Sequence, residues 1–163
     1  MTESLTITQQ ESFRFANEFG GGVPTLYSDE APPLGAGSGP ARAYRMLGEE
    51  PLRSRIPWEE VHLFWGDERC VPPGHARSNF RMAGEAFISR VPIPPANVHR
   101  MRGELPPAAG AQAYAQELAA FFGPGVPRFD LVQLGVGRDG LWASLLALSD
   151  LLHERTRTVA TAI

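Results

Sequence analysis

The 163 residues are enough for one domain with a buried core and too few for two, so we predict a single α/β domain over residues 1–163. A hydrophobic fraction of 43%, a charged fraction of 20% and a net charge of −3 are typical of a globular protein, and the lack of a basic cluster argues against nucleic-acid binding. The sequence contains no apolar stretch long enough to span a membrane, no signal peptide and one cysteine, Cys70, which together predict a cytoplasmic protein that does not bind membranes.

The N-terminal segment, residues 1–33, is predicted to contain little regular structure. Residues 5–19 mix apolar and polar positions without a clean period and predict only a weak helix, and the glycines and prolines of residues 20–33 predict a loop. Pro40 is suited to the first turn of a helix, which we predict over residues 40–47.

Strands and helices are predicted to alternate along the rest of the chain. The strands cover residues 61–65, 98–101, 129–134 and 156–163, and the helices cover residues 78–89, 108–122 and 141–152. This alternation predicts a parallel, doubly wound, Rossmann-like sheet flanked by helices. Ligands bind beyond the carboxyl ends of the strands in such sheets, so three loops are candidates for the functional site: residues 34–40, 66–79 and 135–144.

The loop after the strand at 129–134 has the sequence GVGRDG, which formally matches a dinucleotide-binding fingerprint. A dinucleotide site also requires an acidic residue at the end of the following strand, whereas Glu154 lies near the end of a predicted helix. We therefore interpret the loop as a tight turn before a helix whose exposed N–H groups can bind an anion or a developing oxyanion.

All 15 basic residues are arginine, so the chain has no lysine. This excludes Schiff-base chemistry on a lysine, pyridoxal phosphate held on a lysine, and a Walker-type phosphate loop. We predict no cofactor and no metal.

Three segments of the chain resemble the 6-phosphogluconolactonase family, which belongs to the glucosamine-6-phosphate isomerase/6-phosphogluconolactonase superfamily. They are WEEVHLFWGDERCVPPGHARSNF at residues 58–80, VPIPPANVHRMRGE at 91–104 and FDLVQLGVGRDGLWASL at 129–145. They occur in the family's order and spacing, which makes residues 34–163 a lactonase-like region that ends before the family's C-terminal part. The resemblance implies hydrolysis of 6-phospho-D-glucono-1,5-lactone to 6-phosphogluconate in the pentose phosphate pathway, with a small sugar phosphate as the binding partner.

The resemblance also implies a set of site residues. The substrate-binding positions are Gly37, Ser38, Asp67, Arg69, Ser78, Asn79 and Gly137, and the catalytic positions are Asp139 and Arg69. Arg69 would grip the phosphoryl or carboxylate end of a ligand, although an ion pair at a strand end explains it equally well. Asp139 would orient a ligand hydroxyl or, alternatively, cap the helix that follows it.

One departure from the family pattern bears directly on catalysis. Leu141 occupies the position of the histidine that acts as the family's general base, and loss of a positioned base typically reduces the rate by a factor of ~10²–10⁴. His75 is the nearest substitute by motif, and the remaining histidines, His62, His99 and His153, are interpreted as surface or core residues. We therefore predict impaired hydrolysis.

Two other functions stay open at this point. The chain could be a non-catalytic relative or remnant that binds a sugar phosphate, or a protein similar to glucosamine-6-phosphate deaminase, which shares the fold. Self-association through an exposed sheet edge is a further expectation.

Overall fold

A computed structural model of the protein describes residues 4–7, 38–133 and 150–162. The strands are β1 Ser4–Ile7, β2 Leu63–Phe64, β3 Asp67–Arg69, β4 Val98–His99 and β5 Val159–Ala162. The helices are α1 Ser38–Leu47, α2 Leu52–Arg55, α3 Asn79–Ala86 and α4 Pro107–Phe122, with short 3₁₀ helices at Ile88–Arg90, Pro95–Asn97 and Asp150–His153.

Strands β2 and β4 form a parallel pair in which Leu63 lies opposite Val98 and Phe64 lies opposite His99. Parallel strands require a crossover connection, and helix α3 lies within it. The predicted α/β class, with parallel strands and flanking helices, is therefore confirmed.

Strand β1 lies at the centre of a second, three-stranded sheet and is antiparallel to both β3 and β5. Leu5 lies opposite Glu68 on one side and opposite Thr161 on the other. The predicted helix over residues 5–19 is wrong where it overlaps β1, because hydrogen bonds to two neighbouring strands override a weak local preference for helix. The rest of that helix, and the predicted loop over residues 20–33, lie outside the described residues.

The predicted strand at 129–134 is also wrong in its described part, since residues 129–133 form no ladder with any described strand. The Phe129 ring instead packs edge-on against Phe64 and Phe122, at centroid distances of 5.4 and 4.8 Å. By contrast, the strand predicted at 156–163 is present as β5.

The two long predicted helices in the described part of the chain are confirmed with small shifts at their ends. Helix α3 begins after Ser78, whose side chain accepts a hydrogen bond from the Arg81 amide, and it ends early because Phe87 leaves the helical conformation. Helix α4 starts with Pro107 and stops at Gly123, whose φ of 81° is unfavourable for residues with a Cβ. No helix in the described ranges is long and apolar enough to cross a membrane.

The core lies between α4, α3 and the β2–β4 pair. Its most deeply buried large side chains are Met101, Tyr114 and Leu118. The Tyr114 hydroxyl accepts a hydrogen bond from the Trp65 amide at 2.9 Å and donates one to the Trp65 carbonyl at 3.2 Å. Because burial raises the pKa of Tyr114, this hydroxyl stays protonated and keeps both bonds. The bonds fix the end of β2, from which the turn into β3 begins.

Candidate functional site

Glu68 lies at the centre of the turn predicted to bind a ligand, and its side chain is buried, with a residue exposure of 2%. Its carboxylate accepts hydrogen bonds from the amides of Asn79 at 2.7 Å and Phe80 at 2.8 Å, which belong to the first turn of α3. It also accepts from its neighbour's amide, Arg69 N, at 2.8 Å and from the Ser78 hydroxyl at 3.1 Å. A helix N-terminus stabilises a negative charge through its free N–H groups and its dipole. Glu68 therefore anchors β3 to the start of α3.

Asp67 joins the same network from the other side. The Asn79 side-chain amide donates to the Asp67 carbonyl at 3.0 Å and to its carboxylate at 3.1 Å. The Ser78 hydroxyl is used twice, because it donates to Glu68 and accepts from the Arg81 amide at 3.1 Å. The structure thus brings the predicted residues Asp67, Ser78 and Asn79 together, and Ser78 in particular holds the site in shape.

Arg69 ends β3, and its Nε atom is buried without a hydrogen-bond partner among the described residues. A buried donor without an acceptor typically costs about 1–3 kcal/mol, and more when the group is charged. An anionic ligand oxygen would satisfy this donor. Both predicted roles of Arg69, a ligand contact and an ion pair at the end of a strand, stay predictions.

Gly103 packs directly against the backbone of Arg69 and Val71. A Cβ added to Gly103 would lie 2.8 Å from the Val71 carbonyl oxygen and would overlap the Arg69 carbonyl oxygen. Only glycine permits this close approach, because a backbone neighbour cannot turn aside as a flexible side chain can. The segment from Met101 to Gly103 thus supports the strand that presents Arg69.

Helix α1 lies against the same turn. Burial, and secondarily the negative charge of Asp67, raises the pKa of Tyr44 in the middle of α1. The Tyr44 ring also packs on Phe87, with centroids 5.4 Å apart, so α1 rests on the end of α3. Ser38, a predicted substrate-binding residue, is the first residue of α1 and is thus at a helix N-terminus. Gly37, Gly137, Asp139 and Leu141 lie outside the described residues.

His75 is exposed in the loop before α3, and its Nδ1 lies 3.1 Å from the Arg77 amide nitrogen, from which it accepts. Neutral imidazole has one donor nitrogen and one acceptor nitrogen. With Nδ1 accepting from Arg77, the neutral ring has its proton on Nε2 and no lone pair left for a substrate water. His75 as a substitute general base stays a prediction, and a base at this position would have to release the contact with the Arg77 amide.

Sequence reasoning missed Glu68 and Gly103, although both lie in the quoted segments. No local pattern pointed to Glu68, because its partners Ser78 and Asn79 lie 10 and 11 residues away along the chain. No group of three His, Cys, Asp or Glu side chains suited to a metal ion occurs in the described part of the chain.

Comparison with known proteins identifies the class to which this fold and site belong. The profile of the family described as glucosamine-6-phosphate isomerases/6-phosphogluconolactonase matches residues 34–163. The chain therefore belongs to this family, and the resemblance inferred from the three segments is confirmed.

Individual relatives are similar to this chain over part of their length. The 6-phosphogluconolactonase of Synechocystis is 45% identical over 116 residues, which are 69% of this chain and 47% of that protein. The 6-phosphogluconolactonase of Treponema pallidum is 42% identical over 114 residues, again 69% and 47%. The chain thus spans about half the length of the curated relatives it matches.

Solved structures show the same fold. The 6-phosphogluconolactonase of Trypanosoma brucei superposes with a TM-score of 0.62 at 32% identity and covers 72% of this chain and 51% of that chain. The structure called devB protein superposes with a TM-score of 0.67 at 34% identity, over 89% of this chain and 63% of that one.

Proposed function

We propose that the chain binds a sugar phosphate at the turn of Asp67 and Arg69 and is a 6-phosphogluconolactonase-like hydrolase with reduced activity. The observation that supports binding most directly is the buried Arg69 Nε, which lacks an acceptor in the described residues while its backbone is held by Glu68. The family membership supplies the substrate class, 6-phospho-D-glucono-1,5-lactone. We place the activity in the cytoplasm.

In this proposal the phosphoryl group lies between Arg69 and the N-terminus of α1, near Gly37 and Ser38. An arginine fork and free helix N–H groups both favour a dianionic phosphate. Asn79 keeps the Asp67 carboxylate in place through its 3.1 Å hydrogen bond, so that Asp67 can accept from a sugar hydroxyl. Gly137 and Asp139 would complete the pocket from the glycine-rich turn.

Hydrolysis of the lactone requires that water attack the ester carbonyl carbon while a base takes the water's proton. Leu141 has no atom that accepts a proton, and the described geometry of His75 leaves it without a free lone pair. The turn could still stabilise the tetrahedral oxyanion through backbone N–H groups. We therefore expect a rate ~10²–10⁴ below that of a relative with the base.

Two assays on the purified chain test the proposal. Lactone opening is measured above the spontaneous rate with freshly prepared 6-phosphogluconolactone, and thermal stabilisation is measured with 6-phosphogluconate. We expect slow opening together with clear stabilisation. In Arg69→Gln the stabilisation should disappear, whereas Arg55→Gln, at an exposed arginine on α2, should keep it.

Each outcome separates the candidate functions. Opening at the rate of the family's enzymes would contradict the role assigned to position 141. Stabilisation without any opening would favour the second candidate, a non-catalytic sugar-phosphate binder, which the Leu141 substitution itself supports. Ammonia release from glucosamine 6-phosphate would indicate the deaminase reaction, and the absence of both stabilisation and turnover would refute a sugar-phosphate site.

A further inference from the structure

A cleft of about 570 Å³ lies between α2 and the 3₁₀ helix Ile88–Arg90. Sites for small molecules typically measure about 300–1,000 Å³, so the cleft is large enough to be one. Helix α2 follows the C-terminal end of α1, and the 3₁₀ helix follows the C-terminal end of α3, whereas the candidate site lies where α1 and α3 begin. The cleft is therefore separate from the candidate site. One wall contains Glu50, Arg53 and Ser54, and the other contains Ser89, Arg90 and Val91.

The two walls of the cleft are held together by Trp58, which is buried with an exposure of 4%. Its Nε1–H donates to the Arg53 carbonyl at 2.8 Å, and its ring packs on Phe87, just before the 3₁₀ helix, with centroids 5.9 Å apart. Gly48 supports the second wall, since a Cβ added there would lie 3.3 Å from Arg90 Cδ and from the Cα and Cβ of Phe87. These buried contacts fix the backbone from which both arginines extend, so the cleft is preorganised for a ligand.

Both arginines of the cleft lack a counter-ion in the part of the chain that the structure describes. Neither the Arg53 nor the Arg90 guanidinium forms an ion pair or a hydrogen bond there, although Glu50 lines the same cleft. Glu50 is held instead by Ser54, whose hydroxyl donates to Oε2 at 2.6 Å. Two arginines and one glutamate give the cleft a locally positive charge, on a chain whose net charge is −3. An anion placed between the guanidinium groups reduces their mutual repulsion.

The remaining lining indicates what kind of molecule carries the anion. A guanidinium fork matches two oxygens of a phosphoryl group. Glu50 repels a ligand that is anionic throughout, but its Oε1, which accepts no hydrogen bond from the described residues, can accept one from a ligand hydroxyl. The Ser89 hydroxyl adds a second polar partner, and the buried side chain of Val91 offers an apolar surface to carbon atoms. A small phosphorylated polyol combines these groups.

We propose that the cleft between Arg53 and Arg90 is a second binding site, which takes a small phosphorylated polyol with its phosphoryl group between the two guanidinium groups and its hydroxyl groups facing Glu50. This site is independent of the proposed function, because no residue of the Asp67–Arg69 turn lines the cleft. Arginines near helix C-termini also offset the helix dipole, and arginines with that role alone would stay solvated and bind no phosphorylated molecule.

Titration of the ¹⁵N-labelled chain with glycerol 3-phosphate, followed through the backbone amide NMR shifts, tests the site. We expect saturable shifts around Arg53 and Arg90, and affinity at least about tenfold higher than for glycerol or for inorganic phosphate, each of which lacks one of the two kinds of group. Arg53→Gln and Arg90→Gln should each weaken binding at least about tenfold, because each removes a charged hydrogen-bond donor. Arg55→Gln, at an exposed arginine on α2 outside the cleft, should bind like the wild type.

The location of the shifts separates this site from the candidate site. Arg69→Gln should keep the shifts around Arg53 and Arg90, even if glycerol 3-phosphate also binds at the Asp67–Arg69 turn of the wild type. The absence of saturable shifts around Arg53 and Arg90 in the wild type would refute the second site, whether or not the variants fold. Equal affinity for inorganic phosphate and glycerol 3-phosphate would overturn the assignment of a polyol as the ligand.

Discussion

Glu68→Gln keeps the shape of a buried side chain and replaces one carboxylate oxygen by an amide NH₂ group. In the wild type, one carboxylate oxygen of Glu68 accepts hydrogen bonds from the Arg69 and Asn79 amides. The other accepts from the Ser78 hydroxyl and the Phe80 amide. The side-chain NH₂ group of the glutamine accepts no hydrogen bond. At least one buried main-chain N–H therefore loses its acceptor and faces this NH₂ group instead. The charge at the start of α3 is lost as well.

The magnitude follows from these contacts. An unsatisfied buried donor costs about 1–3 kcal/mol, and the loss of a favourable charge at a partly buried helix N-terminus adds up to ~2 kcal/mol. We therefore expect the free energy of unfolding to decrease by roughly 2–4 kcal/mol. The total for a domain is about 5–15 kcal/mol. The variant should fold but with a clearly lower urea midpoint.

The matched control is Glu85→Gln on the same helix. Glu85 pairs with Arg81 at 2.6 Å, but both side chains are well exposed, with 65% and 42% of their surface accessible. An exposed pair of this kind contributes up to about 1 kcal/mol. If Glu68→Gln lowers stability no more than Glu85→Gln, the carboxylate does not anchor β3 to α3. The hydrogen bonds of Glu68 would then not be what holds the Asp67–Arg69 turn against the helix.

Three further predictions concern the support of the site and its chemistry. Tyr114→Phe removes both hydrogen bonds to Trp65 and should lower the free energy of unfolding by about 1–3 kcal/mol, and an unchanged urea midpoint would contradict this. Gly103→Ala forces the Arg69–Val71 backbone to move, so it should weaken stabilisation by 6-phosphogluconate more than Gly74→Ala, where an added Cβ meets nothing within 4 Å. Leu141→His should restore little lactone opening, because Gly35 and Gly39 occupy two positions that carry hydroxyl groups in the phosphate loop of the family it resembles, and a large gain in rate would refute this.

Local signals predicted those parts of the fold whose stabilising partners are close along the chain. Helix α4 was predicted because its apolar positions repeat at helical spacing and Gly123 ends it, and α3 was predicted from apolar spacing that begins at Ser78. Strand β1 could not be predicted, since its partners come from residues 67–69 and 159–162, far beyond any local window. Tertiary pairing decided its conformation.

In the candidate site too, the sequence predicted some residues, whereas the roles of others depend on contacts between distant parts of the chain. Motif resemblance identified Asp67, Ser78 and Asn79, and the structure places them in one network. The role of Glu68 depends on α3 folding back onto β3, which spacing alone does not reveal. The cleft between Arg53 and Arg90 depends on such contacts as well, because the packing of Trp58 on Phe87 brings its two walls together.

The Glu68 anchor is made largely of main-chain hydrogen bonds, and this affects which substitutions the turn can tolerate. The amides of residues 79 and 80 are present whatever their side chains, so any amino acid other than proline at these positions can still bind the carboxylate. The joint between β3 and the start of α3 therefore does not depend on the side chains at positions 79 and 80. Those side chains are left for other contacts, and Asn79 holds Asp67 while Phe80 packs on Trp65.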